Sequence, residues 1–246
     1  ISILHLVHQT SGLRDMDDLH GMIATGFSDY SDTDTFYNLI SAQKALNYKP
    51  GERYSYSNSG YMLMAKIVEK VSGLSFREYM HKHVFSPIGM HHTSVFDNPF
   101  EVIENRATAY FSNDNKTFSR DNGIGAVYGS KGVYTSINDL DLWARNFVNP
   151  KVGNKEVFTL MKTTGMLNNG ERTNYAFGQE LKTMHGQQVI IHGGGTGAYR
   201  SYLIRFPELA LSISIVANNS YANFKILKYV DDIAKILLPK QIQTSP

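Results

Sequence analysis

The chain has 246 residues, 42% of them apolar and 19% charged, which is enough to bury a full-sized core. Its formal charge is +2 and its basic residues are scattered rather than striped, which argues against a nucleic-acid partner. Cysteine is absent, so disulfides, thiolate nucleophiles and cysteine-held metals are excluded, and no apolar run reaches the ~18 residues that would predict a transmembrane segment.

The opening "ISILHLVHQTSG" lacks an initiator Met, a basic n-region and a cleavage site, and reads as a chain cut from something longer. Residues 13 to 50 are polar and turn-rich, with "GFSDYSDTDTF" predicting surface loop around short helices. A helix follows, capped by Asn58 or Ser59 and running to about Val71, with Tyr61, Met64, Ile67, Val68 and Val71 on one face. Gly73 ends it, Ser75 and Glu78 have capping-box spacing for the next, and Pro87 is expected to stop that one. Residues 97 to 128 predict irregular structure with a short strand near "RATAYF". Ser136 and Asp139 frame another capping box, and Leu140, Trp143, Ala144 and Phe147 share a face that reads as core.

The last third changes period. "QQVIIH" (187–192), "YRSYLIRF" (199–206) and "LSISIVAN" (211–218) read as strands, the latter two as an antiparallel hairpin. A closing amphipathic helix buries Phe224, Leu227, Val230, Ile233, Ala234 and Leu237. The expected class is α+β, an antiparallel sheet flanked by helices in an α/β sandwich. Helices occupy about 13–96 and 136–148, and the sheet and last helix about 187–238, within one unit spanning 1–246. Residues 150 to 185 give no readable signal.

Four clusters carry glycine or polar atoms that a plain core does not need: His8–Thr10–Ser11–Gly12, Tyr56–Ser57–Asn58, Gly129–Ser130–Lys131–Gly132 and His192–Gly193–Gly194–Gly195. A tyrosine serves as general base only if nearby positive charge lowers its pKa from about 10. Asn58 at a first helical turn can orient that base or hold a substrate amide; the plainer reading makes Tyr56 a packed aromatic and Asn58 an N-cap. Glycines after a strand let backbone approach a ligand and aim an N–H at a developing oxyanion, or else simply form a turn. "YGSKGVY" reads as a tight turn beside the same cleft. Metal chemistry has little support: His91 and His92 are adjacent, His81 and His83 do not share a helix face, and HExxH is absent.

Those segments together resemble the serine beta-lactamase and penicillin-binding-protein-like family, the branch with class C beta-lactamases, D-alanyl-D-alanine carboxypeptidases, D-aminopeptidases and related esterases. The resemblance runs through "ILHLVHQTSGL", "YSYSNSGYMLMAKIVEKVSGLSFREYMHKHVFSPIGMHHT", "YGSKGVYTSINDLDLWARNF" and "HGGGTGAYRSYLIRFPELALSISIVANN". It implies a beta-lactamase/transpeptidase-like fold, N-terminally truncated. Tyr56 and Asn58 match the family's Tyr-x-Asn. His192 and Gly194 match the first and third positions of its Lys-Thr-Gly-type motif, with His replacing the usual Lys of lactamases, which leans toward peptidases and esterases. Gly195 stands where an oxyanion-hole N–H would come from.

The family's nucleophilic Ser and its Lys, in Ser-x-x-Lys, lie upstream of the segment resembling "HQTSGL", outside this chain. One Ser-x-x-Lys does occur, at Ser41–Lys44, but about one such match is expected by chance at these serine and lysine frequencies, and it falls in a region the family gives to loop and short helix. The resemblance implies acyl transfer through a serine ester on a D-Ala-D-Ala-type peptide, a β-lactam or a small ester, without cofactor or metal, in an extracellular or cell-envelope setting. It also implies that this chain by itself is inactive or nearly so, and that it dimerises or takes an N-terminal fragment as partner to cover an open sheet edge. The competing reading is a non-catalytic relative that binds peptidoglycan-like peptides or another protein.

Overall fold

A computed structural model describes residues 1–23, 32–123 and 125–238. Most of the loop expected at "GFSDYSDTDTF" lies outside them. Helices α1 (Ile3–Val7), α2 (Met16–Ile23), α3 (Thr33–Ser41) and α4 (Asn58–Ser72) come first. Asp32 caps α3 by accepting from the Thr35 N–H. Ser41 and Lys44 lie exposed where α3 ends.

The cap of α4 differs from expectation. Ser57 occupies the N-cap without a side-chain bond, and Asn58 is the first helical residue. Gly73 ends the helix in the left-handed conformation, as its position suggested. The buried face is also rotated: Met62 and Ala65 are buried, whereas Val71 is 81% and Ile67 37% exposed. Small residues explain this. Gly60 lets the α1 backbone close in, so that an added Cβ would sit 3.3 Å from the Leu6 carbonyl oxygen. Met62 joins Met16, Phe36, Ile40 and Val127 in one apolar cluster.

Helix α5 (Phe76–Met80) starts on the full Ser75–Glu78 capping box. Pro87 does not stop the chain there. A π-helical turn over His81–Phe85 leads into α6 (Ser86–Ile88), with Pro87 in its first turn, where a missing N–H costs little, and Gly89 terminates the run. Short strands follow: β1 (Ser94–Val95), β2 (Tyr110–Phe111), β3 (Ser119–Arg120) and β4 (Val133–Tyr134), paired β1–β4 and β2–β3. Helix α7 (Ile137–Asn146) uses only half of its box. Ser136 accepts from the Asp139 N–H at 3.1 Å, but the Asp139 carboxylate accepts from the His92 N–H (2.8 Å) and the Thr93 hydroxyl (2.7 Å) instead. Leu142 and Trp143 pack against Phe85, Ile88, Met90 and Val95.

Helix α8 (Lys155–Leu160) and strand β5 (Glu180–Met184) come from the stretch that gave no sequence signal. Strands β6 (Gln187–Thr196), β7 (Tyr199–Phe206) and β8 (Leu211–Ala217) complete an antiparallel sheet in the order β5-β6-β7-β8. Helix α9 (Ile226–Leu237) covers one face, where Val230 and Ala234 meet Val189, Ile191, Ile204, Phe206 and Ile213. Leu227 and Leu237, expected on its buried side, are about half exposed; Ile226 takes the buried position, and the Phe224 side chain lies outside the described residues. Because side chains alternate along β6, His192 points to the sheet face opposite α9.

Candidate active site

The Tyr-x-Asn segment enters α4 just beside His192, midway along β6. The rings of Tyr56 and His192 are 6.4 Å apart, and both lie against Tyr175, at 6.0 and 6.1 Å. Tyr54 and Tyr61 pack on the same Tyr175 ring. Tyr175 is 1% exposed, and its hydroxyl is 3.2 Å from His192 Nε2. Tyr56 itself is half exposed, its ring at the cleft surface.

Asn58 is held from two sides. Its backbone N–H donates to Asp15 Oδ2 at 2.6 Å and its Nδ2 donates to Asp17 Oδ2 at 3.0 Å. Asp17 in turn takes Lys131 Nζ on both oxygens, at 2.7 and 2.8 Å. This ion pair brings the "GSKG" turn to the Tyr-x-Asn segment. Gly129 is required there, because it has φ +94° and an added Cβ would fall 2.8 Å from the Ala65 Cβ on α4.

The glycines after His192 do not form the turn. Gly193–Gly195 remain in β6, opposite Tyr202, Ser201 and Arg200, and the turn is Gly197–Ala198. A two-residue hairpin closes on a hydrogen-bonded pair, here Thr196 and Tyr199, and bonding alternates from there. The N–H groups of Gly193 and Gly195 therefore face away from β7. Strand β5 begins at Glu180, opposite Ile191, so from His192 onward that edge of β6 carries no strand among the described residues. Gly194 faces the same side as His192, where an added Cβ would come 2.6 Å from Ser201 Oγ.

The charged groups acting on Tyr56 are acidic, although Asp17 is paired with Lys131 and Glu180 with Lys182. Burial raises the Tyr56 pKa, and Asp15, Asp17 and Glu180 raise it further. Tyr61 is pushed up to about 12, mainly by burial, and Tyr175 is raised by burial and by its tyrosine neighbours. His192 is lowered by burial, against the pull of a backbone hydrogen bond at Gly193 and of Glu180. His8 is lowered for the same main reason.

Among the described residues, the buried side-chain polar atoms without a hydrogen-bond partner are His8 Nδ1, Gln9 Nε2, Ser57 Oγ and Ser130 Oγ. All four belong to the segments that the sequence singled out, where a plain interior would satisfy such atoms. Tyr56, Asn58, His192, Gly194 and Gly195 thus share one region. Asp15, Asp17, Tyr175 and Glu180 were not foreseen. The aspartates lie in the polar, turn-rich stretch 13 to 50, and "NYAFGQE" carries no pattern that marks its tyrosine.

The family model described as Beta-lactamase matches residues 1–235. A D-aminopeptidase of Gluconobacter oxydans is 25% identical over 225 residues, covering 89% of this chain and 42% of that protein. Penicillin-binding protein 4* of Bacillus subtilis is 26% identical, covering 89% and 51%. The chain therefore spans about half the length of these curated relatives, or less. A penicillin-binding protein of Bacillus halodurans superposes with a TM-score of 0.80 at 20% identity, over 95% of this chain and 72% of that one, which establishes a shared fold.

Proposed function

The chain belongs to the beta-lactamase family, and from that premise we propose that it forms the Tyr-x-Asn and His-x-Gly side of a serine acyl-transfer hydrolase site. The convergence of Tyr56 and His192, 136 positions apart in sequence, at 6.4 Å carries this reading. The nucleophilic serine and its lysine come from a segment outside residues 1–246. The serine attacks the carbonyl carbon while the lysine and Tyr56 take its proton, and water later releases the acyl group. The raised pKa of Tyr56 fits a phenol that waits for a cation, since no cation among the described residues lowers it. Asn58 spends its amide N–H on Asp17, which leaves its carbonyl oxygen to accept a substrate N–H. Gly195 N–H, on the open edge of β6, stabilises the oxyanion together with the serine's own N–H.

Of the acids that raise Tyr56, Asp17 is paired with Lys131 and Glu180 with Lys182, and the remaining charge of Asp15 favours a substrate with a free amine over one ending in a carboxylate. An aminopeptidase-like or amidase-like reaction on a small amide or ester fits that charge best. The enzyme would work outside the cell or at its envelope. The raised Tyr56 pKa also suits a non-catalytic binder of such peptides, and the residue at the nucleophile position separates the two readings.

The first test is intact mass after incubation with a labelled penicillin or a fluorophosphonate. The 246-residue chain should take no adduct, and a longer polypeptide carrying Ser-x-x-Lys should be labelled on that serine. A label on Ser41 would overturn the assignment. In the longer polypeptide, a D-amino acid anilide with a free amine should be cleaved at least about tenfold more efficiently than its N-acylated form, a difference worth ~1.4 kcal/mol. Equal rates would remove the electrostatic argument for the substrate.

A further inference from the structure

Tyr175 lies beneath the candidate site, fully buried, with its hydroxyl 3.2 Å from His192 Nε2. A buried phenol needs an acceptor for its proton. The Tyr61 hydroxyl donates to the Val7 carbonyl at 3.0 Å and keeps lone pairs that face Tyr175 as a second acceptor. The Gln9 amide oxygen already accepts the Ser57 N–H at 2.9 Å, and its amide nitrogen is a donor toward the Tyr175 oxygen. The imidazole Nε2 lies 3.2 Å from the Tyr175 oxygen, and a ring hydrogen bond to the Gly193 backbone leaves the lone pair of the other nitrogen free for that proton.

We propose that Tyr175 donates its proton to His192 Nε2 and so fixes His192 as the neutral Nδ1–H tautomer, acting as a positioning residue for the site. The partner of one ring nitrogen decides which nitrogen carries the proton. The ring's hydrogen bond with the Gly193 backbone raises the His192 pKa and is compatible with an Nδ1–H donor. Three consequences follow from this arrangement. Nε2 is committed to a buried phenol and does not serve as a base toward substrate. His192 brings no positive charge to bind a carboxylate. The His192 ring is locked beside Tyr56, so that the sheet and the α4 entry keep a fixed spacing.

The catalytic meaning of Tyr175 rests on the hydrolase reading above, but the bond itself does not, and the test needs no turnover. The 246-residue chain is labelled with 15N-histidine, its ring tautomers are read from long-range proton–nitrogen correlations at pH 7.5, and H192Q identifies the His192 signals by their loss. Wild type should show His192 protonated on Nδ1. Y175F, with its circular dichroism unchanged, should shift His192 toward the Nε2–H form. An Nε2–H form in wild type overturns the proposal, and the wild-type spectrum decides even if Y175F fails to fold. A folded Y175F protein with an unchanged tautomer overturns it equally.

Discussion

At the residue scale, buried imidazoles give the protein a specific acid sensitivity. His8 and His192 are both held below the ordinary histidine value of 6.5 by burial, and His5 is lowered as well. Between that value and the folded one, the unfolded chain binds more protons than the folded chain, so stability falls as pH drops below 6.5. Carboxylates with lowered values, such as Glu101 and Asp231, act only below their ordinary values of 4.5 and 3.8. The interval from pH 7.5 to 5 therefore isolates the histidines. The urea midpoint should decrease across it, and H192Q should flatten part of that slope. A level or rising wild-type midpoint would mean that the folded chain accepts these protons freely. The same residues show what sequence can disclose about a site. Tyr56, Asn58 and His192 were legible because each sits in a short, ordered pattern. Asp15, Asp17, Tyr175 and Glu180 were not, because they act on Tyr56 and His192 through space, and no local spacing encodes that.

At the element scale, Asp139 shows how a cap can become a tertiary joint. It has the position of a capping-box acid, yet its carboxylate reaches across to the His92 N–H and the Thr93 hydroxyl, and the residue is 3% exposed. D139A removes the carboxylate that accepts from the His92 N–H and from the buried Thr93 hydroxyl, leaving Thr93 only Thr135 at 2.7 Å, and should cost about 2–3 kcal/mol in urea unfolding. S136A removes only the cap on α7 and should cost ~1 kcal/mol. Equal costs for the two variants would reduce Asp139 to a local role. This joint also explains why the sequence reading succeeded for some elements and failed for others. Strands β7 and β8 were legible from β-branched runs bounded by turns. The starts of α5 and α7 were legible from their serines. Strand β5 was missed because "ELKTM" has weak alternation and its turn depends on His185 at φ +48°, which its residue type does not announce. The faces of α4 and α9 were misjudged because a helical period says that a face exists but not which neighbour will come. Gly60 and Gly129 settled that for α4 by admitting backbone at close range.

At the scale of the whole molecule, the sheet has two edges of unlike character. The β5 edge carries Glu180 and Lys182, joined in an ion pair at 2.6 Å. Charges of this kind keep an edge from pairing with another chain. The β8 edge, "LSISIVA", has no charge at all, and Val216 on it is 44% exposed. Apolar surface elsewhere, Ile3 and Leu4 on α1 and Ile67 and Val71 on α4, is a second place for association. The 246-residue chain should therefore self-associate reversibly, with a light-scattering mass that rises with concentration. The edge is the stronger candidate, since backbone groups pair there without side-chain complementarity. V216K should return the protein to monomer, whereas V71K should leave the association in place. The reverse pattern would move the contact to the helical patch, and a concentration-independent monomer would show that both surfaces are inert. If V216K does abolish association, a peptide that adds as a strand beside β8 should compete with it. Because such a ligand binds only the folded chain, it should raise the urea midpoint in proportion to the logarithm of its concentration above its Kd. That dependence would distinguish a specific edge contact from general stickiness, which gives no such scaling.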